Sequence, residues 1–573
     1  MAAKFDRAYF WLIAPFAAAL ISIIRVWPVL PAVMQDEYIY SIQARFTPFA
    51  EQLYPNYLFS WLYSSTNLCG DGFYACGKGL NVVFFFLTLT FIFLISKKLL
   101  GVGWGAAIAS VAALSPIHVY VSYFMPEMMY FAFISATIFV ALIAGEKHKL
   151  SIWLATGAML GLAALVKPHA IFTLPAFMLF ALIVALRAQG GSWRKGLLAS
   201  VGTVGAFLLV KFGGGFAFAG VSGLTLFGRS YESSLNQFVS ESASNGEASD
   251  IVAQPAANVA VQSAVVTAAE EAGPGFFDVF IPHSFAHLAL MLTVAGLPLL
   301  LSVSAMKTAL SKKQAIGAAS QFLILIGLMA VSLALVVAAF EGVVTQLGDD
   351  HSSRIITRYY EFLIPLFLIA AAVFAKFVEP KTKIRALQAA LLVAVLIFGW
   401  VYLSGVKQSF ADSILLSGYL AAPAIIPIIA IIGIIVSLTW MISKNAGSKL
   451  VVYVATPLVL LIAGFSSQSY LLSQVGPIPA YFDIAGQKAK PLLADVPGEK
   501  ISVIGAVRYQ NFTTKFWIDK PGIKDTSLAD GETIDSSSIP DVDYVVLIGN
   551  AKLSGAAEVL DQGEGYAIVK LTR

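Results

Sequence analysis

Long apolar runs separated by polar breaks set the pattern of this chain. About thirteen runs, near residues 8–30, 79–97, 103–121, 127–145, 151–166, 169–187, 196–213, 284–304, 317–340, 361–377, 385–404, 420–442 and 449–468, approach or exceed the length a helix needs to cross hydrocarbon. None alternates residue by residue, which excludes a membrane β-barrel. The pattern predicts an α-helical polytopic membrane protein. The first run follows Lys4 and Arg7, is too long for a signal peptide and lacks a convincing small-residue cleavage site, so it reads as a retained helix.

The breaks fall into two alternating sets. One is short and basic: Lys97-Lys98, Lys147 with Lys149, Arg187 with Arg194-Lys195, Lys307 with Lys312-Lys313, Lys376 with Lys381, Lys383 and Arg385, and Lys444 with Lys449. The bias of positive charge towards cytoplasmic loops places this set, and the N-terminus, inside. The other set is longer and mixed in charge: about 31–78, corners near 122–127 and 167, about 214–283, 341–360, 405–419, and everything after about 469. These segments and the C-terminus are expected outside. Composition agrees: 58% of the 573 residues are hydrophobic and only 12% charged, with a mean hydropathy of +0.80. The net charge of +4 gives no reason to expect a nucleic acid partner.

Two outer segments differ in kind. Residues 232–273, rich in Ser, Ala, Asn, Gln and Glu, resist packing and predict a flexible loop. Residues 478–573 predict a small α/β accessory domain beside a membrane domain of residues 1–470, with strands at 501–504, 544–548 and 566–569 and a helix at 556–560. Cys69 and Cys76 are the only cysteines. Two cysteines in one loop facing an oxidising compartment predict a disulfide, and no nearby His completes a metal site.

The unusual polar residues gather on the outer side. Asp36-Glu37 follow the first run, and Glu127 follows Pro126 after the third. Lys167-Pro168-His169 break the fifth from the sixth, and Asp349-Asp350-His351, Arg354 and Arg358-Tyr359-Tyr360-Glu361 precede the tenth. Each cluster alone has a structural reading: a helix-end marker, a first-turn acid favoured by the helix dipole, a snorkelling lysine, a solvated arginine turn. Together, carboxylates and cations at one membrane surface suit chemistry on an anionic lipid headgroup. His283 and His287 have helical i, i+4 spacing, but no Glu lies between them as in a zinc protease helix, so no metal site is assigned. Acidic outer loops are compatible with a divalent cation, although no ligand spacing is diagnostic.

These positions carry a resemblance. An acidic pair after the first span, the Met125-Pro126-Glu127 turn, the stretch from Gly161 to Pro168 and the Arg358-Tyr359 to Pro365 segment are similar to the GT-C superfamily of membrane glycosyltransferases, in its bacterial branch with the protein-mannosyltransferase-like enzymes and the lipid A aminoarabinose transferase. The likeness covers about the first 380 residues, and Tyr54-Pro55-Asn56-Tyr57 stands where many relatives have a Pro-rich stretch. The Trp-Trp-Asp motif of oligosaccharyltransferases is absent, which argues against protein N-glycosylation.

The resemblance implies a polyprenyl-phosphate-linked sugar donor, a glycan or lipid acceptor, and inverting transfer on the outer face of a bacterial inner membrane. It makes Asp36 the expected base, with Glu37 as the alternative. Arg358, Lys167, Arg354 and His169 are expected at the donor phosphate, and Glu127, Tyr38 and Tyr359 at the sugar or acceptor. A carboxylate suits the acceptor proton, and fixed cations suit the leaving phosphate. A lipid-linked glycan flippase and a polymerase of lipid-linked repeats would share the spans. The absence of an internal repeat, and charge at one face rather than the midplane, favour the transferase over a transporter.

Overall fold

The computed structural model describes the chain except residues 1–6, 188–190, 229–274, 296–315, 347–353, 378–381, 404, 407–411, 421–423, 540 and 573. The expected flexible loop at 232–273 therefore lies outside the described residues.

Apolar helices stand at every predicted run. Among the described residues seven are long and apolar enough to cross a membrane, and a bent pair would make an eighth. Phe10–Val26, Leu150–Val166, Glu361–Val373, Ala389–Leu403 and Pro427–Ile442 are shorter apolar helices at the remaining runs. The chain is a multi-pass helical membrane protein. Small residues let its helices approach closely: a Cβ on Gly157 would lie 2.0 Å from the Thr203 carbonyl oxygen, so Leu150–Val166 packs directly on Trp193–Ala219.

One expected span is not straight. The run at 103–121 bends by 56° between Val102–Leu114 and Pro116–Ser122. Ser115 is extended (φ −74°, ψ 168°) because the ring of Pro116 disfavours the helical region for the residue before it. The same rule breaks the chain at Lys167 (φ −144°, ψ 117°) before Pro168. Each break frees backbone groups that need partners where they are buried. Beyond the first bend, Glu37 supplies part of the answer. It is fully buried, and its carboxylate accepts from the backbone N–H of Ala32 (2.6 Å), Val33 (2.8 Å) and Phe124 (2.8 Å). It thus ties the start of helix Met34–Arg45 to the chain beyond the bend. Burial nevertheless outweighs these bonds and pushes its pKa up to about 7.

The C-terminal domain follows helix Thr456–Gln474. Its strands are β1 (Ile501–Gly505), β2 (Lys524–Ser527), β3 (Thr533–Asp535), β4 (Tyr544–Ile548), β5 (Lys552–Ser554), β6 (Ala557–Gly563) and β7 (Tyr566–Leu571). The main sheet runs β2-β1-β4-β7-β6, with β1 parallel to β2 and β4, and β7 antiparallel to β4 and β6. β1 is buried throughout because apolar clusters cover both faces. Helices Tyr481–Leu492 and Arg508–Ile518 pack together, the first contributing Ala485 and Ala489 and the second Ile518 to one of these clusters. The three expected strands are present, but 556–560 is not a helix. Residues 557–560 belong to β6, which pairs with β7 across a tight turn with Gly565 at φ +74°. The helical preference of Ala, Glu and Leu is overridden by the partner strand.

The domain docks through helix Arg508–Ile518 on helix Met34–Arg45 and the loop after it. Phe516 packs on Phe73 and Tyr74 at 5.3 and 5.4 Å between ring centres. Arg45 lies 3.7 Å from the Phe73 ring centre and makes a two-pronged ion pair with Asp519, both side chains buried. Lys490 reaches both Asp519 (3.2 Å) and Asp71 (2.9 Å). Asp71 sits between Cys69 and Cys76, which form the expected disulfide.

Two consequences are measurable. Asp519→Ala strands a buried guanidinium, a change that costs about 3–5 kcal/mol. Hydrogen exchange across Arg508–Ile518 should accelerate sharply, and unchanged exchange would show that docking does not depend on this pair. Glu37 predicts a pH dependence. A carboxyl whose pKa rises on folding from 4.5 to about 7 contributes most below the lower value and loses that contribution as pH rises through the upper one. The difference is worth about 3 kcal/mol. Thermal stability of the native chain should therefore fall between about pH 5 and 8 relative to Glu37→Gln, which does not titrate.

Candidate active site

Asp36 and Arg358 are 322 residues apart and meet at 2.8 Å. Asp36 lies in the first turn of helix Met34–Arg45. Arg358 lies in the short 3-10 turn Thr357–Tyr359 before helix Ile364–Phe377. That turn is held from three sides. Glu341 accepts the Ile356 N–H at 2.8 Å. The Arg358 N–H donates to the Asp412 carbonyl at 3.3 Å. Glu361, fully buried, accepts from Thr357, from the Tyr120 hydroxyl at 2.8 Å and from the Leu415 N–H at 3.1 Å.

The pair lines a cleft of about 670 Å³ between the helical bundle and the C-terminal domain. The bundle side carries Gln35, Asp36, Arg354, Arg358 and Asp412, and the domain side carries Asp483, Arg508, Tyr509 and Phe512. Arg354 forms a two-pronged pair with Asp412, at 3.0 and 2.6 Å. Three guanidinium groups therefore face one space. Among the described residues the buried Nε of Arg358 has no hydrogen-bond partner. On the domain side Asp483 accepts from Trp517 Nε1 (2.7 Å) and the Ala480 N–H (3.0 Å). Burial raises its pKa against those bonds.

Tyr359 separates this cleft from a second polar layer. His169 stacks on its ring at 4.3 Å, Lys167 Nζ lies 5.2 Å from the ring centre, and the Arg358 guanidinium lies 6.0 Å away. Lys167 donates to Glu127 at 2.7 Å, with both side chains almost fully buried. The second Glu127 oxygen has no partner among the described residues. Tyr40 also lies within electrostatic range: burial, then Glu127 and Asp36, hold its phenol protonated well above its ordinary pKa.

The expected site residues thus divide. Asp36, Arg354 and Arg358 share the cleft wall, while Lys167, His169, Glu127 and Tyr359 form the layer behind it. Glu37 points away, because its carboxylate is committed to three backbone donors. Tyr38 faces the docked domain instead of the cleft: its hydroxyl donates to the Lys520 carbonyl at 3.2 Å, and Lys515 Nζ lies 4.8 Å from its ring centre. Successive residues of one helix point in different directions, so an acidic pair cannot serve one site with both members. Asp349, Asp350 and His351 lie outside the described residues.

Sequence reasoning missed Asp412, Tyr40 and Arg508. Asp412 sits in a loop without a charge cluster, and Arg508 opens a helix of a domain expected to be accessory. Reasoning from spacing also missed the partner of His283 and His287. Glu341, from helix Ala318–Gln346, brings one carboxylate oxygen within 2.7 Å of His283 Nδ1 and 2.9 Å of His287 Nε2. These three are the one group among the described residues with metal-type ligands this close together. The contacts are hydrogen bonds, and His287 Nδ1 continues the network to the Tyr360 hydroxyl at 2.8 Å. As built, the network supports the turn that carries Arg358.

Residues 59–211 match the sequence model of the family described as dolichyl-phosphate-mannose-protein mannosyltransferase. No curated protein matches the chain. Among solved structures, ArnT from Cupriavidus metallidurans bound to undecaprenyl phosphate overlaps 98% of this chain and 97% of its own, at 12% identity and a TM-score of 0.47. An Archaeoglobus fulgidus oligosaccharyltransferase tethered to an acceptor peptide overlaps 94% of this chain and 69% of its own, at 12% identity and a TM-score of 0.45. These overlaps are loose, and the family match is the firmer finding. It falls on the helices that carry Glu127, Lys167 and His169, so over that stretch the chain is similar to a family of membrane glycosyltransferases, in agreement with the resemblance in the motifs.

Proposed function

We propose that the protein transfers a sugar from a polyprenyl-phosphate donor to a glycan or lipid acceptor at the extracytoplasmic face of a bacterial inner membrane, with inversion at the anomeric carbon. The observation that carries this reading is the Asp36–Arg358 pair on the wall of a cleft that also holds Arg354 and Arg508. The family description, which names a dolichyl-phosphate-linked mannose, supports a lipid-phosphate donor.

The steps follow from charge. Arg358 and Arg354 offer planar forks of donors suited to phosphate oxygens. The donor phosphate takes Arg358 away from Asp36 and leaves that carboxylate facing the acceptor. The acceptor hydroxyl attacks the anomeric carbon and its proton passes to Asp36. The bond from that carbon to the phosphate oxygen breaks with its electron pair on the oxygen, and the arginines stabilise the charge that gathers there. Lys167, held by Glu127, and His169 set the position of Tyr359 against Arg358. The free Glu127 oxygen is placed to accept a hydrogen bond from a sugar hydroxyl once Tyr359 shifts.

Asp36→Asn should lower transfer by about 100-fold or more, the usual size of a lost general base. Undecaprenyl phosphate should bind this variant as tightly as the native chain or more tightly, because the competing carboxylate charge is gone. Near-normal transfer would remove Asp36 from the mechanism. Arg358→Ala should weaken undecaprenyl phosphate binding by roughly tenfold or more. Calorimetric titration in micelles reads both effects, and an unchanged affinity would contradict the phosphate role. Mass spectrometry of envelope glycans and lipids from a deletion strain would identify the sugar and its acceptor.

A further inference from the structure

A second polar notch lies away from the cleft, among helix Ile13–Val26, the bend at Ser115 and helix Thr456–Gln474. It encloses about 230 Å³ and is lined by Arg25, His118, Phe465 and Gln468, among others. It shares Leu461 and Phe465 with an apolar groove of about 720 Å³ along helix Ile425–Ile442. Gln468 lies six residues before the end of its helix, or roughly 9 Å below the cleft end at 1.5 Å per residue. That places the notch near the end of the helix from which the C-terminal domain follows.

The notch is closely packed on one side, and two of its buried polar atoms are unmatched among the described residues. A Cβ on Gly464 would lie 2.0 Å from the Leu114 carbonyl oxygen, so the last apolar helix packs directly on the chain just before the bend. Gln468 is one turn beyond that contact on one side, and His118 four residues beyond it on the other. His118 is buried, with Nδ1 2.7 Å from the Ser115 carbonyl oxygen. A carbonyl only accepts, so Nδ1 carries the proton and Nε2 of the neutral ring is an acceptor. That Nε2 and the Gln468 Nε2 donor are both buried without a partner among the described residues. Arg25 lies 5.1 Å from the Phe465 ring centre. Among the described residues it shows no ion pair with a carboxylate.

We propose that this notch binds an anionic phospholipid with a hydroxylated headgroup, of the phosphatidylglycerol kind. The phosphodiester meets Arg25 and accepts from Gln468, a headgroup hydroxyl donates to His118 Nε2, and an acyl chain lies in the apolar groove. Buried polar groups of this kind are costly unless a partner satisfies them. A phosphatidylcholine headgroup has no hydrogen for His118 and brings a second cation towards Arg25. A polyprenyl phosphate dianion has no hydroxyl donor either. The site is independent of the sugar-transfer reading, since none of its groups lies in the cleft.

Native mass spectrometry of the full chain in micelles tests it, with phosphatidylglycerol, phosphatidylmethanol, phosphatidylcholine and undecaprenyl phosphate as probes. Phosphatidylglycerol should bind about tenfold or more tightly than phosphatidylcholine, the scale of one charge-assisted hydrogen bond. Arg25→Gln and Gln468→Leu should each remove most of that preference, while Arg358→Ala leaves it intact. His118→Phe should erase the preference for phosphatidylglycerol over phosphatidylmethanol, which lacks the hydroxyls. Equal binding of phosphatidylglycerol and phosphatidylcholine to the native chain would overturn the proposal without any variant. So would Arg25→Gln binding phosphatidylglycerol normally. Displacement of phosphatidylglycerol by undecaprenyl phosphate, with loss of the latter in Arg25→Gln, would assign the notch to the prenyl lipid instead.

Discussion

Buried carboxylates hold the broken ends of the helices, and the cleft depends on them. Where a helix breaks and the chain is buried, the freed backbone N–H groups need protein partners. Glu37, Glu341 and Glu361 supply them, accepting from Ala32, Val33 and Phe124, from Ile356, and from Leu415. Each sits close in sequence or in space to a side chain of the candidate site. Glu37 adjoins Asp36, and Glu341 and Glu361 grip the turn on either side of Arg358. These three anchors fix the backbone on both sides of the 2.8 Å contact between Asp36 and Arg358.

The same logic explains why the C-terminal domain belongs to the site. Its helix Arg508–Ile518 lies on Met34–Arg45, the helix whose first turn carries Asp36. The Arg45–Asp519 pair and the Phe73–Phe516 contact fix that helix from the far end. Arg508 and Tyr509 then fall on the cleft wall as a consequence of the docking. The disulfide loop adds Asp71 through Lys490, so the one covalent crosslink lies at the edge of the same interface.

Much of the fold was legible because the bilayer imposes length and apolarity, which sequence displays directly. The bend at Ser115 was not read, although Pro116 announces it, because the apolar run continues through it. β6 was misread because the helical preference of Ala557, Glu558 and Leu560 says nothing of the pairing that the tight turn to β7 imposes. At the site, Asp36 and Arg358 were legible as charges at helix ends. The opposite fates of Asp36 and Glu37 were not, since neighbours in a helix differ only in direction. Glu341 was hidden because it lies in a strongly apolar helix, 54 residues beyond His287. Arg508 was hidden because nothing in a soluble-looking segment states what it docks against.

The charge arrangement also bears on how the proposed transfer is timed. In the structure Asp36 and Arg358 neutralise one another while both remain partly solvent-accessible, at 30% and 18% of their side chains. The carboxylate is held by the guanidinium until a donor phosphate displaces it. A sugar phosphodiester carries one negative charge and the departing phosphate gains a second. The proton that Asp36 removes from the acceptor cancels the carboxylate charge at the same moment. Negative charge thus leaves one partner of Arg358 as it arrives at the other, and the guanidinium is never left unmatched in a half-buried site. A lysine in that position would provide the charge without the planar pair of donors needed to hold both partners during the exchange.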